Sequence, residues 1–391
     1  MFGKKLLIKC IVCISLINIQ CKNGSETDTL PNPDPLMTSI QKEEFGTTPA
    51  GEKVDLYTLT NSAGMNVKII TYGGRIISLN TPDKAGNFQN VVLGFDSLDQ
   101  YLEENPYFGA LVGRFANRIA EGEFYLDGQK FSIAANNGEN HLHGGIKGFD
   151  KVVWKAETID SSNSLMLSYL SPDMEEGYPG NLQVKVTYTL KDDNSLDVAY
   201  EATTDKKTVI SLTQHSYFNL SGNFNNNILD HEIKINANHY LPVNGSMIPT
   251  GEIREVQRSF FDFRESKPFG EDIDKVLEEQ QLELGTGYDH NFVLKNAGEG
   301  LRFAASAYHP GSGRLVEIFT DLPGIQFYTG NFLDGTLPIP GGKGHFEKRT
   351  GFCLETQQFP DAPNHESFPP ATLEPGDVFS SKTTFKFSVR G

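Results

Sequence analysis

Five short stretches carry residue types that can move protons or grip hydroxyl groups. Gly351-Phe-Cys-Leu-Glu-Thr-Gln-Gln-Phe-Pro360 sets Glu355 on a segment that alternates like a strand. Side chains two apart on a strand share a face, so Cys353, Glu355 and Gln357 point one way. A lone carboxylate is costly to bury without a partner, which makes Glu355 either an exposed residue or a working one. Thr213-Gln-His-Ser-Tyr-Phe-Asn219 offers His215, whose ordinary pKa near neutrality lets it give and take a proton. Asn140-His-Leu-His-Gly-Gly145 places His141 and His143 two apart, as on one strand face, before a glycine pair that admits a close neighbour. Phe108 to Ile119 sets Arg114 and Arg118 in an apolar, glycine-marked run. A structural ion pair suits Arg114, while Arg118 beside Asn117 can hold hydroxyls or a developing oxyanion. Asp289 in Gly287-Tyr-Asp-His-Asn291 and Gln326 in Gly324–Asn331 each have two polar atoms with which to bind vicinal hydroxyls. Asp289 is equally readable as a turn residue. Phe327 and Tyr328 add aromatic surface that suits either a core or a stacking platform.

Only a β-rich scaffold is written around these stretches. Leu182-Gln-Val-Lys-Val-Thr-Tyr-Thr-Leu190, Leu196–Tyr200, Ile233–Ile235 and Phe385–Val389 alternate with period two, and Gly, Asn, Asp or Pro bound them. Val209 to Leu212 reads as a strand leading into His215. Helical signal is confined to a turn at Ser97–Leu102 and to Phe269–Leu284, where Ile273 and Leu277 lie four apart. Many short strands without intervening helices predict one all-β domain, an antiparallel sandwich or barrel, over residues 45–391.

Composition narrows the partners. The chain has 391 residues, 38% apolar and 11% aromatic, which is enough for a large core. Its net charge of −16 argues against nucleic acid, whose phosphates need a basic footprint. Lys4, Lys5 and Lys9 precede an apolar run, Cys10 to Ile19, too short to span a bilayer. That is the layout of an export signal over residues 1–21. The following Cys21 resembles the lipidated cysteine of bacterial lipoproteins, although Asn18-Ile19-Gln20 lacks the small residues usual before it. Periplasmic or outer-membrane-associated placement is expected, with residues 22–44, which carry Pro31, Pro33 and Pro35, as a flexible tether. Cys353 is then the sole cysteine left in the domain, so no disulfide framework is expected. A metal at the His141/His143 pair is disfavoured because Ile146-Lys147-Gly148 offers no glutamate to complete a cupin-like set.

Taken in order, with Phe149-Asp-Lys-Val-Val-Trp154 between the second and third, these stretches resemble the aldose 1-epimerase (galactose mutarotase) family. The resemblance runs from about Tyr57 to the C-terminus. It is densest at Tyr107–Ile119, Leu142–Trp154, His215–Leu220, Tyr288–Phe292, Gly324–Gly335 and Leu354–Asp361. It implies a large antiparallel β-sandwich, the galactose mutarotase-like supersandwich with few short helices, in a monomer or dimer. The implied substrate is a monosaccharide and the implied chemistry uses no cofactor and no metal. By the resemblance Glu355 is the base at the anomeric hydroxyl and His215 the acid at the ring oxygen. Asn117, Arg118, His143, Asp289 and Gln326 would bind the sugar. Burial should raise the Glu355 pKa while His143 and Arg118 should lower it, and the sequence does not rank them. A non-catalytic carbohydrate-binding module would need no base–acid pair, and a glycosidase would normally need two carboxylates, such as Glu355 and Asp289. A phosphosugar epimerase would want more Lys and Arg, and a Cys353 nucleophile has no histidine fixed to it in sequence.

Overall fold

Period-two alternation pays out as sheet. The computed structural model describes residues 38–391, so the expected export signal over residues 1–21 and the expected lipidation at Cys21 lie outside the described residues. Leu182–Leu190 buries every second side chain and pairs over its full length with Ser195–Thr204. Both belong to a nine-stranded sheet that continues through Phe379–Val389, Arg314–Thr320, Arg302–Tyr308 and Glu232–Ile235. A six-stranded sheet runs Tyr217–Phe218, Phe352–Gln357, Gly324–Tyr328, Asp289–Leu294, Ala237–Tyr240, Arg254–Glu255. A five-stranded sheet takes the first strands, Ser39–Thr47 to Phe88–Asn90. The ladders of all three sheets are antiparallel.

The main apolar cluster lies between the nine- and six-stranded sheets. Val184, Val186, Tyr188, Val198, Val316, Phe385 and Phe387 from the first meet Phe292, Ile325, Phe327, Phe352 and Leu354 from the second. Phe352–Gln357 is therefore buried on both faces: Phe352 and Leu354 face this core, while Cys353, Glu355 and Gln357 face the other way under covering loops.

Four expectations change. Residues 39–44, read as tether, are already in a strand: Ser39–Thr47 pairs with Lys53–Thr60, and Lys42 Nζ lies 2.8 Å from Asp55 Oδ2. An edge strand with polar side chains has no apolar alternation to announce it. The Phe269–Leu284 helix shrinks to Gln280–Gly285, where the Glu279 carboxylate accepts from Gln281 N–H. Ile273 is fully buried but Leu277 is 96% exposed, so the pair shares no face against the core. The Ser97–Leu102 turn forms a helix at Leu98–Leu102 as expected. The strand before His215 is broken: Thr208–Val209 and Thr213–His215 pair with different partners. His141 and His143 do not share a strand face, because the strand ends at Leu142 and His143 has φ 52°.

Candidate active site

The site is built on the outward face of the six-stranded sheet. Asn291 lies opposite Gln326, which lies opposite Glu355 on the next strand. Asp289 lies opposite Tyr328, Tyr328 opposite Cys353, and Cys353 opposite Tyr217. Alternation then lines up Asp289, Asn291, Gln326, Tyr328, Cys353, Glu355 and Gln357 on one face. Phe327, on the reverse face, packs into the core against Tyr288, Phe263 and Phe269. Asp289 is thus a strand residue rather than a turn residue.

Two further segments supply the walls. Thr213–His215 pairs with Ala110–Val112 and brings His215 over the sheet. Arg118–Ile119 pairs with His141–Leu142. Asn117 and His143, both with positive φ, bond reciprocally there: Asn117 N–H donates to His143 Nδ1 (3.1 Å) and His143 N–H to the Asn117 carbonyl (3.0 Å). Arg118 Nε donates to Asn137 Oδ1 at 3.0 Å. The glycine pair after His143 serves packing: a Cβ on Gly144 would stand 1.8 Å from the Gly113 carbonyl oxygen, and one on Gly145 would strike the Glu176 carboxylate.

At the centre, His215 Nε2 stands 3.6 Å from Glu355 Oε2. The His215 ring is stacked by Tyr217 (5.1 Å) and Tyr107 (5.8 Å) and meets His143 edge-on. Glu355 is only 2% exposed and its Oε2 has no hydrogen-bond partner. Burial raises its pKa well above the usual carboxylate range. Asp289 adds to the rise and Arg118 opposes it without winning. Burial also pushes His215 down to about 3 and His143 well below its ordinary value. Asp289 is raised by burial against the pull of Arg118 and of Gln326, whose Nε2 donates to Asp289 Oδ1 at 2.6 Å. The Gln326 carbonyl oxygen is buried and unpartnered.

His143, His215 and Glu355 offer atoms within 4.8 Å of one another, as a metal site would. The His143 bond weighs against that use. Its Nδ1 lone pair takes the Asn117 amide, so the neutral ring carries its proton on Nε2 and presents a donor there, not a ligand lone pair.

The structure brings together Glu355, His215, His143, Asn117, Arg118, Asp289 and Gln326. It excludes His141, which is bonded to the Ala134 carbonyl and to Tyr178 OH. Arg114 is structural, held by Ser171 Oγ and by the Ser171, Pro172 and Pro179 carbonyls rather than by the ion pair expected. Sequence reasoning passed over Asn291, which accepts from Gln357 Nε2 at 3.2 Å and lines the cleft with Asn117, Leu241, Met247, Asp289 and Gln326. Its place two residues after Asp289 was the available signal. It also passed over Tyr107, which packs on both His143 and His215 from a positive-φ turn that no local pattern announces.

A model of the family described as aldose 1-epimerase matches residues 55–386. A galactose mutarotase from Bos taurus is 50% identical over 354 residues, 90% of this chain and all of its own. An aldose 1-epimerase from Escherichia coli (strain K12) is 35% identical, covering 87% of this chain and 96% of its own. A solved structure of galactose 1-epimerase from Lactobacillus acidophilus, 28% identical, superposes with a TM-score of 0.79 over 91% of this chain and all of its own. By its sequence and its fold, this chain belongs to the aldose 1-epimerase family.

Proposed function

We propose that the protein interconverts the α and β anomers of free aldohexoses such as galactose and glucose by opening and reclosing the sugar ring. The observation that carries this reading is the buried pair at 3.6 Å, His215 Nε2 and the unpartnered Glu355 Oε2, beside hydroxyl-gripping Asp289 and Gln326.

Ring opening needs one proton removed from the anomeric hydroxyl and one delivered to the ring oxygen. Glu355 carboxylate takes the first and protonated His215 Nε2 gives the second as the bond from C1 to the ring oxygen breaks. The products are an open-chain aldehyde, a neutral carboxyl and a neutral imidazole. Rotation about C1–C2 presents the other carbonyl face. On closure the former ring oxygen attacks C1 and returns its proton to His215, while Glu355 protonates the new anomeric oxygen. Burial disfavours charge on both groups, since it raises Glu355 and lowers His215. The pocket therefore favours the charge state that exists when the ring is open, which reduces the cost of reaching it. An imidazolium with so depressed a pKa is also a strong acid toward a weakly basic ring oxygen. His143 cannot take this role while the Asn117 amide holds its Nδ1, and its Nε2–H suits a sugar oxygen. Arg118, Asn117, Asp289 and Gln326 hold the ring.

The test is the optical rotation of freshly dissolved α-galactose and α-glucose with and without protein lacking residues 1–21. Faster equilibration, with no product released from glycosides, is expected. Unchanged kinetics with tight sugar binding would leave a non-catalytic binding domain.

Residues 1–21 are proposed to direct export, with Cys21 as the lipidated anchor and the following polar, proline-bearing residues as a tether. Lys4, Lys5, Lys9 and the apolar Cys10–Ile19 run support this. Cys21→Ser should move the protein from the membrane fraction to the soluble periplasm. A wild-type protein that is already soluble overturns lipidation.

A further inference from the structure

The reaction above uses His215 at Nε2 alone, and that places a demand on Nδ1. If Nε2 is to release a proton and take it back, Nδ1 must stay protonated throughout. Were the resting proton on Nε2 of a neutral ring, giving it up would leave an imidazolate. The other ring nitrogen therefore needs a neighbour that accepts.

In His143 the corresponding nitrogen faces a backbone N–H, which is a donor only. In His215 it faces the sulphur of Cys353, 3.6 Å away. Burial pushes the Cys353 thiol well above its ordinary pKa, so it stays uncharged. The backbone carbonyl oxygen of His215 is no rival for the sulphur as a donor to Nδ1, and it already takes the Gly109 N–H at 3.0 Å. Cys353 itself is fully buried, lies opposite Tyr217 in the sheet and is two residues from Glu355.

Resting on the proposed anomer interconversion, we propose that Cys353 is a positioning residue: its sulphur accepts the Nδ1–H of His215 and keeps Nε2, on the Glu355 side, as the exchanging nitrogen. The choice of a thiol has a chemical sense. A carboxylate at Nδ1 would stabilise the imidazolium and weaken it as an acid. Neutral sulphur is a weak acceptor, so it orders the ring without raising its basicity.

The test uses the whole domain with ¹⁵N-labelled histidine. In the wild type, His215 should give the Nδ1–H signature. Cys353→Val removes the acceptor and keeps an apolar side chain of similar bulk, and should shift His215 toward a mixture of tautomers. Cys353→Ser restores an acceptor and should restore the Nδ1–H signature. Turnover should follow, with kcat about 3–10-fold lower in the Val variant, KM unchanged, and recovery in the Ser variant, the range expected for one modest hydrogen bond. An Nε2–H signature in the wild type overturns the proposal, since the thiol would then be the donor. So does a Val variant that keeps full kcat while the Ser variant loses it, which is the pattern of a thiol that only fills space. The tautomer is read without sugar, so an inactive wild type would sink the anomer reading while leaving the assignment of Cys353 to be judged by the spectrum.

Discussion

Two clusters in this molecule have nearly the same composition and opposite characters. His143, His215 and Glu355 meet over the six-stranded sheet, and His231, His309 and Asp230 meet at a loop end of the nine-stranded one. In the second, every valence is spoken for. Leu220 N–H donates to His231 Nε2 and Ser312 N–H to His309 Nδ1, both at 3.0 Å. Each ring must then carry its proton on the other nitrogen, and both N–H groups converge on Asp230, at 3.1 and 3.2 Å. Asp230 is 66% exposed in its side chain, and its hydrogen bond from His231 leads in pulling its pKa down to about 2. The first cluster buries its carboxyl, leaves one oxygen without a partner and pushes the pKa up. Two histidines and a carboxylate thus make a clamp where all donors find acceptors, and a proposed reaction centre where burial leaves one carboxyl oxygen without a partner.

Breaking each cluster should separate these characters, and the largest effect belongs at the reaction centre. Glu355→Gln and His215→Asn should each lower kcat by about 10²–10⁴-fold, the usual share of one positioned proton carrier. The double variant should be little worse than the poorer single, because groups acting as a unit are not additive. Optical rotation kinetics check this, and a folded, sugar-binding Glu355→Gln protein with near wild-type turnover overturns the base assignment. Loss confined to Glu355 would overturn His215 as the acid. Asp289→Asn removes a charged grip on the ring and should raise KM about 10-fold or more, at least as much as it lowers kcat.

Not all of this contrast was legible in the sequence. Strands with one apolar face, such as Leu182–Leu190, announce themselves, and so does the face shared by Cys353, Glu355 and Gln357. Residues 39–44 do not, because a polar edge strand is stabilised by its ladder to Lys53–Thr60 rather than by a hydrophobic pattern. The His141/His143 spacing misled because the strand stops at Leu142 and a positive φ turns His143 toward Asn117. The seven residues that the structure brings together were named from motif order and resemblance. Their protonation was not, since it depends on which nitrogen meets a backbone amide and which a sulphur.

Stability gives the subtler readings of the same comparison. A buried carboxyl with a raised pKa holds its proton longer folded than unfolded, so the contribution of Glu355 to stability falls as pH climbs above 4.5, the ordinary value for glutamate. Glu355→Gln, which never ionises, should melt above the wild type at neutral pH, with the gap closing toward pH 4.5. Thermal scans across pH check the sign. Asp230 has the opposite sign: its lowered pKa stabilises the fold above 3.8, and that contribution is lost as pH falls toward about 2. Asp230→Asn should leave turnover within about 2-fold while lowering the melting temperature at pH 6, by the equivalent of about 1 kcal/mol for one unsatisfied donor. A large loss of activity there would mean that the clamp reaches the site.

The register of the six-stranded sheet ties these properties together. Asn291, Gln326 and Glu355 stand in one row across three strands, and Phe292, Ile325 and Phe327 fill the reverse side. Slipping Phe352–Gln357 by one residue against Gly324–Tyr328 would turn Glu355 into the apolar layer and bring Leu354 to the polar face. Mispaired chains would still be rich in β-structure, and circular dichroism would pass them. Only the correctly registered sheet carries the proposed proton relay, so recovery of catalytic rate during refolding should count native pairings that spectroscopy of the backbone cannot tell apart.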